Sequence, residues 1–313
     1  MSGVGELARG VIVTGFAGTS DAEELRGFAG YVLFDRNGSS VAAVRPLTDA
    51  LRRLSDQPPL IGIDQEGGRV ARLREGVEPM PSMMALGAIG DPGLAERAGE
   101  QVAFDLRRAG CTLDFAPVLD LAIDPRNVVI GTRSLGADPK QVAALGAAFG
   151  RGLKTGGVLS CYKHFPGHGA TAVDSHAETA VVVADEAMLR DRDLVPFAAI
   201  ARGAPAMMTG HVLAGAFDAA KPATLSTRIA TTLLRADLGF AGVLVSDCLE
   251  MKGVGGDGSP ELAVEALAAG VDLLLFSHDP QRASAAAQAI ERAVGDGRLA
   301  LQRLEEAYAR VGR

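Results

Sequence analysis

At 313 residues, 48% hydrophobic and 22% charged, the chain is long enough to bury a full core and carries no polar tract that would keep it unfolded. Its 31 Lys and Arg against 38 Asp and Glu leave a net charge of −7, which argues against nucleic-acid binding through a basic surface. No stretch approaches the ~18 uninterrupted apolar residues of a membrane span, and the N-terminus lacks the charged region of a secretory signal, so a cytoplasmic protein is expected.

In chain order, short apolar runs alternate with longer helix-like segments. Strands are expected at residues 11–16 (VIVTGF), 31–34 (YVLF), 60–64 (LIGID) and 112–118 (TLDFAPV). Four more follow at 158–165 (VLSCYKHF), 206–211 (AMMTGH), 243–247 (VLVSD) and 272–276 (DLLLF). Several are continuous apolar runs, the pattern of parallel strands covered on both faces. Helices are expected at 92–110, 139–157, 193–203 and 259–270, with Gly110, Gly203 and Gly270 placed as left-handed caps. A C-terminal helical stretch occupies 281–313. Eight strand–helix units point to an α/β fold of the (β/α)8 TIM barrel type, with a doubly wound open sheet as the alternative. No linker-like composition divides the chain, so 1–313 reads as a single domain. Cys111, Cys161 and Cys248 lack zinc-type spacing and are expected to be reduced, buried thiols.

In a barrel, function collects where strands run into the loops that follow them. The expected strand ends carry Asp64, Asp120, His164, His211 and Asp247, which suggests one polar mouth. In GIDQEGGRVARL (62–73), Gly67-Gly68 permits a sharp turn, and Asp64 with the arginines Arg69 and Arg72 suits a polyhydroxyl ligand. The spacing matches neither the Walker nor the dinucleotide-binding pattern. KHFPGHGATAVDSH (163–176) holds three of the chain's five histidines. Pro166 and Gly167 rule out a helical metal pair, but a metal-dependent hydrolase using His164, His168, His176 and Asp247 stays open. The competing reading pairs Asp174 with His176, two residues apart, as an acid–base dyad. In GFAGVLVSDCLEMKGV (239–254), Asp247 ends a strand, and nucleophile, metal ligand and helix cap are all open to it. Cys248 has no histidine nearby in sequence and reads as packing.

In that order and at matching intervals, IDQEGGRVARL, KHFPGHGATAVDSH and PATLSTRIATTLLRADLGFAGVLVSDCLEM resemble the family 3 glycoside hydrolases. The likeness is to the bacterial β-N-acetylhexosaminidases that trim N-acetylglucosamine from muropeptides, and runs from about residue 31 to 279. It implies a (β/α)8 catalytic domain and a retaining exo-β-N-acetylglucosaminidase with no cofactor and no metal. The implied substrate is an N-acetylglucosamine-containing muropeptide or oligosaccharide. On the matching motifs the resemblance makes Asp247 the nucleophile and His176, paired with Asp174, the acid/base. It makes Asp64, Arg72, Arg133 (in IGTRSLG), Lys163 and His164 sugar contacts, with His168 bracing the loop. A related branch takes its acid/base glutamate from a second domain. Only about 37 residues follow the last expected strand here, so the acid is expected from the barrel. Ala170 and Cys248 stand where the family often has Asp. The first is expected to alter loop closure, the second to confer sensitivity to thiol reagents. Phosphorolysis and sugar binding without turnover both remain open, and oligomeric state is not legible.

Overall fold

Each of the eight apolar runs becomes a strand, and the strands close on one another. In the computed structural model, which describes residues 3–18, 24–55, 57–171, 180–254 and 259–312, they are β1 (Ile12–Thr14), β2 (Gly30–Leu33), β3 (Leu60–Ile63) and β4 (Leu113–Asp114), followed by β5 (Leu159–Phe165), β6 (Ala206–Thr209), β7 (Val243–Cys248) and β8 (Leu273–Phe276). Every strand pairs in parallel with its neighbours in sequence, and β1 pairs with β8, so the sheet is a closed barrel. Closure excludes the doubly wound alternative, which would leave two open edges.

The continuous apolar runs reflect two packed faces. Val13, Val32, Cys161, Met208, Val245 and Leu273 belong to one buried cluster, which fills the barrel. Their strand neighbours Ile12, Tyr31, Tyr162, Met207, Leu244 and Leu274 belong to the larger one, packed under the helices. Alternation of facing therefore never appears as alternation of polarity.

The helices Pro92–Ala109, Pro139–Thr155 and Pro280–Gly295 each open with proline in the first turn, behind an aspartate (Asp91, Asp138 or Asp279) that accepts a backbone N–H. The first two approach closely because glycine faces each of them: a Cβ on Gly99 would lie 2.2 Å from the Phe149 carbonyl oxygen. Gly110 and Gly270 end their helices with φ of 84° and 118°, as expected of left-handed caps. Gly203 does not. Its helix, Val195–Ile200, has already ended at Ala201 in right-handed geometry.

Three further departures have physical causes. The described residues between β1 and β2 form no helix, so the first strand–helix unit is incomplete among them. A π-helical segment, Arg228–Asp237, joins β6 to β7; its β-branched Ile229, Thr231 and Thr232 obscure helical character in the sequence. The stretch 281–313 resolves into Pro280–Gly295 and Leu301–Val311, separated where Gly297 takes a φ of 80°. No helix among the described residues is long and apolar enough to cross a membrane.

Candidate active site

At the carboxyl ends of the strands lies a cleft of about 310 Å³. Asp64, Arg72, Arg133, Lys163, His164 and Asp247 all line it. Asp174 and His176 lie outside the described residues. Two of the five expected strand-end residues do not line the cleft, because both are buried behind it as braces. Asp120 holds histidines in place. The His211 ring bonds to Thr224 Oγ1 at 2.8 Å and to the Cys248 carbonyl at 2.9 Å.

One wall is a charge network. Lys163, carried by β5, places Nζ 2.7 Å from both Asp64 Oδ1 and Glu66 Oε1. Arg133 grips Glu66 with both forks, Nε to Oε2 and an Nη to Oε1, each at 2.7 Å. Arg72 lies 3.6 Å from the second Asp64 oxygen. Burial would raise the pKa of Glu66, but Lys163 and Arg133 hold it well below the usual carboxylate range. Burial opposes the charge of Lys163 too, and Asp64 and Glu66 outweigh that and raise its pKa. The result is a rigid set of donors and acceptors, fixed before any ligand arrives. Arg69, by contrast, staples the carbonyls of Val128 and Val129 at 2.7 and 2.6 Å, shaping the loop that carries Arg133.

Asp120 is a second anchor. Its Oδ2 lies 2.6 Å from His164 Nδ1, and its Oδ1 accepts the His168 backbone N–H at 2.6 Å. Burial pushes this carboxyl up, but His164 and the His168 N–H together keep its pKa below normal. An anionic Asp120 fixes the proton of His164 on Nδ1 and leaves Nε2 toward Arg133, 3.5 Å away. His168 is buried, bonds Thr171 Oγ1 through Nδ1 at 2.7 Å and takes Asn127 on its carbonyl at 2.8 Å, the arrangement of a loop brace.

The functional strands are irregular where the site residues sit. Pairing of β5 with β6 slips between Tyr162 and Phe165, spanning Lys163 and His164. Pairing of β7 with β8 slips between Val245 and Cys248, spanning Asp247. Such irregularities re-aim side chains, here into the cleft. Asp247 Oδ1 accepts the Cys248 backbone N–H at 2.7 Å. Cys248 itself is 6% exposed, and burial pushes its thiol up to about 12, so reactivity toward bulky thiol reagents is low.

Asp114, which the sequence did not single out, lies under the network. Burial pushes its carboxyl up to about 8, and its Oδ2 has no hydrogen-bond partner among the described residues. An anionic oxygen left so would be far costlier than a neutral one. A raised carboxyl pKa contributes stability that is fully present below about 4 and lost as pH rises toward about 8. Asp114→Asn lacks that loss. Its melting temperature relative to wild type should therefore climb between pH 5 and 8, and a pH-independent difference would show that Asp114 is ionised throughout.

Residues 22–313 match the glycosyl hydrolase family 3 N terminal domain. The chain is 40% identical over 295 residues to a beta-hexosaminidase of Stenotrophomonas maltophilia (strain K279a), covering 90% of this chain and 87% of that one. A solved family 3 beta-N-acetylglucosaminidase from Paenibacillus sp. str. FPU-7 has a TM-score of 0.95 at 40% identity, covering 99% of this chain and 62% of that longer one. Native NagZ from Neisseria gonorrhoeae has a TM-score of 0.81 at 32% identity, over 97% of both chains. With a closed parallel barrel and a family domain matched over most of its length, this chain belongs to glycosyl hydrolase family 3, the glycoside hydrolases its motifs resemble.

Proposed function

We propose that the protein is a retaining exo-β-N-acetylglucosaminidase acting on cell-wall-derived muropeptide fragments. The observation that carries this reading is Asp247, on the irregular end of β7, in one cleft with the fixed donors of Lys163, Arg133, Arg72 and His164. A cleft of about 310 Å³ sits at the small end of the ~300–1,000 Å³ usual for small-molecule sites, which suits a terminal sugar unit.

Asp247 attacks the anomeric carbon and forms a covalent glycosyl ester, while His176 gives its proton to the departing oxygen. His176 then takes a proton from water, which attacks the same carbon and releases Asp247. Asp174 orients the imidazole and stabilises its charged form. An imidazole titrates near ~6.5 unperturbed, so it serves both steps near neutral pH. Asp64 and Arg72 hold sugar hydroxyls, as do Arg133, Lys163 and His164, and Glu66 and Asp120 hold these groups still. The buried thiols of Cys111, Cys161 and Cys248 suit a reducing, cytoplasmic setting.

The stereochemistry of the product tests the mechanism. Proton NMR during the first turnovers should show the β anomer of N-acetylglucosamine before mutarotation; initial α anomer would mean single displacement and remove Asp247 from its role. His176→Ala should slow release of a sugar leaving group by about 10²-fold or more. For the nitrophenyl glycoside, whose leaving group departs without a proton, kcat/KM should be much less affected, while kcat falls because His176 also activates the water that releases Asp247. Equal losses of kcat/KM on both would assign His176 a positioning rather than a proton-transfer role.

A further inference from the structure

Beside the sugar-binding wall, the ends of β7 and β8 bring together three residues that the proposed reaction does not use. Cys248 ends β7, and the chain turns so that Met251 N–H bonds the Cys248 carbonyl at 3.0 Å, bringing Glu250 back over the thiol. Glu250 Oε2 lies 3.6 Å from Cys248 Sγ and accepts the His278 backbone N–H at 2.8 Å. His278, two residues beyond β8, stacks its ring on Phe34 with centroids 6.0 Å apart. One donor atom from each of Cys248, Glu250 and His278 lies within 4.8 Å of the other two.

We propose that Cys248, Glu250 and His278 form a binding site for a thiophilic divalent cation of the zinc type, whose occupancy blocks the cleft beside Asp247. A thiolate, an imidazole and a carboxylate are the donors zinc takes, and three protein ligands leave the fourth tetrahedral position open. Donors on tetrahedral zinc stand about 3.5 Å apart, so the three must converge by roughly 1 Å. His278 is exposed and Glu250 half-buried, so side-chain rotation supplies that movement. Cys248 Sγ now faces Glu250 as a thiol; as the sulfur–metal bond forms, its proton passes to solvent and the charge of the cation holds the thiolate. Arg36, with an Nη 3.5 Å from His278 Nδ1, opposes the added charge and keeps the affinity moderate. Cys248 and His278 line the same cleft as Asp247, so a bound cation competes with the substrate and draws on the negative charge of the nucleophile.

This site is separate from the histidine loop and plays no part in turnover. Its inhibitory effect rests on the glycosidase reading, whereas cation binding does not. The test uses chelator-treated protein titrated with cobalt(II) chloride, read by the thiolate-to-cobalt absorption in the near ultraviolet. Zinc chloride inhibition of nitrophenyl glycoside turnover is measured in parallel, each variant relative to its own rate in chelator. Wild type should show the thiolate band at one equivalent and be inhibited by zinc. Cys248→Ser should lose the band. Cys248→Ser and the exposed-site variant His278→Gln should each weaken zinc inhibition at least about 100-fold, above the cost of losing an outer-shell partner. No thiolate band in wild type, or zinc inhibition as potent in both variants as in wild type, would overturn the proposal. The cobalt spectrum reads the site even in a protein without turnover, so failure of the glycosidase reading is separately visible.

Discussion

Replacing Asp247 with alanine is expected to lower turnover of 4-nitrophenyl β-N-acetylglucosaminide at least about 10⁴-fold, beyond the ~10²–10⁴ that loss of a proton-transfer group costs. The covalent route disappears with the carboxylate, and no other acidic side chain lining the cleft is placed to replace it. Asp64 is tied to Lys163 at 2.7 Å and Glu66 to both Lys163 and Arg133. Binding should survive, because the charge network of Asp64, Glu66, Arg133 and Lys163 is separate from the strand that carries Asp247. A small anion such as azide, filling the space left by the side chain, should restore part of the rate and leave as the α-glycosyl azide, with one inversion instead of two. Robust turnover by the variant without azide would remove Asp247 from the mechanism.

Glu66→Gln should be the most damaging change outside the reacting atoms. Glu66 is fully buried and is the shared anion for Arg133 and Lys163, whose side chains are 12% and 3% exposed. Removing one member of a buried ionic set leaves the partners desolvated and uncompensated, at a cost of about 3–5 kcal/mol. Glu66 has a depressed pKa against an ordinary value of 4.5, so its stabilisation is present above that value and lost as pH falls below it. Urea denaturation should therefore show the largest gap between wild type and Glu66→Gln near pH 7, narrowing below pH 4.5. Lys163 and Arg133 also lose their aim, so kcat/KM should fall in the protein that remains folded, with KM rising more than kcat falls. Unchanged stability at pH 7 would mean the cations find other partners and the wall is not preorganised.

The barrel was legible because its signal is distributed. Eight apolar runs, separated by segments of helical period, survive errors of a residue or two at each end. Individual boundaries were less so: β4 forms a ladder only at Leu113–Asp114, with pairing resuming at an isolated bridge from Val118 to Lys163. The cleft residues Asp64, Arg72, Arg133, Lys163, His164 and Asp247 were legible through motifs rather than through polarity at strand ends. Polarity alone also selected Asp120 and His211, which face inward to brace the site. Glu66 was hidden in DQEGG, where a glutamate before two glycines reads as an exposed turn residue. Only the fold shows that Arg133 and Lys163, 67 and 97 positions later, close over it. The cluster of Cys248, Glu250 and His278 was invisible for the same reason, since parallel pairing of β7 and β8 creates it across 28 residues of sequence.

The central claim is that Asp247 forms a covalent bond to the sugar, and mass spectrometry tests it most directly. N-acetylglucosaminyl fluoride carrying a second fluorine at C5 loads the enzyme quickly, because fluoride leaves well, and turns over slowly, because the ring fluorine disfavours positive charge. Intact mass should rise by one sugar unit, and after proteolysis the added mass should lie on the peptide containing Asp247. An adduct on any other residue, or complete turnover of the reagent with no adduct at any time, would contradict the account.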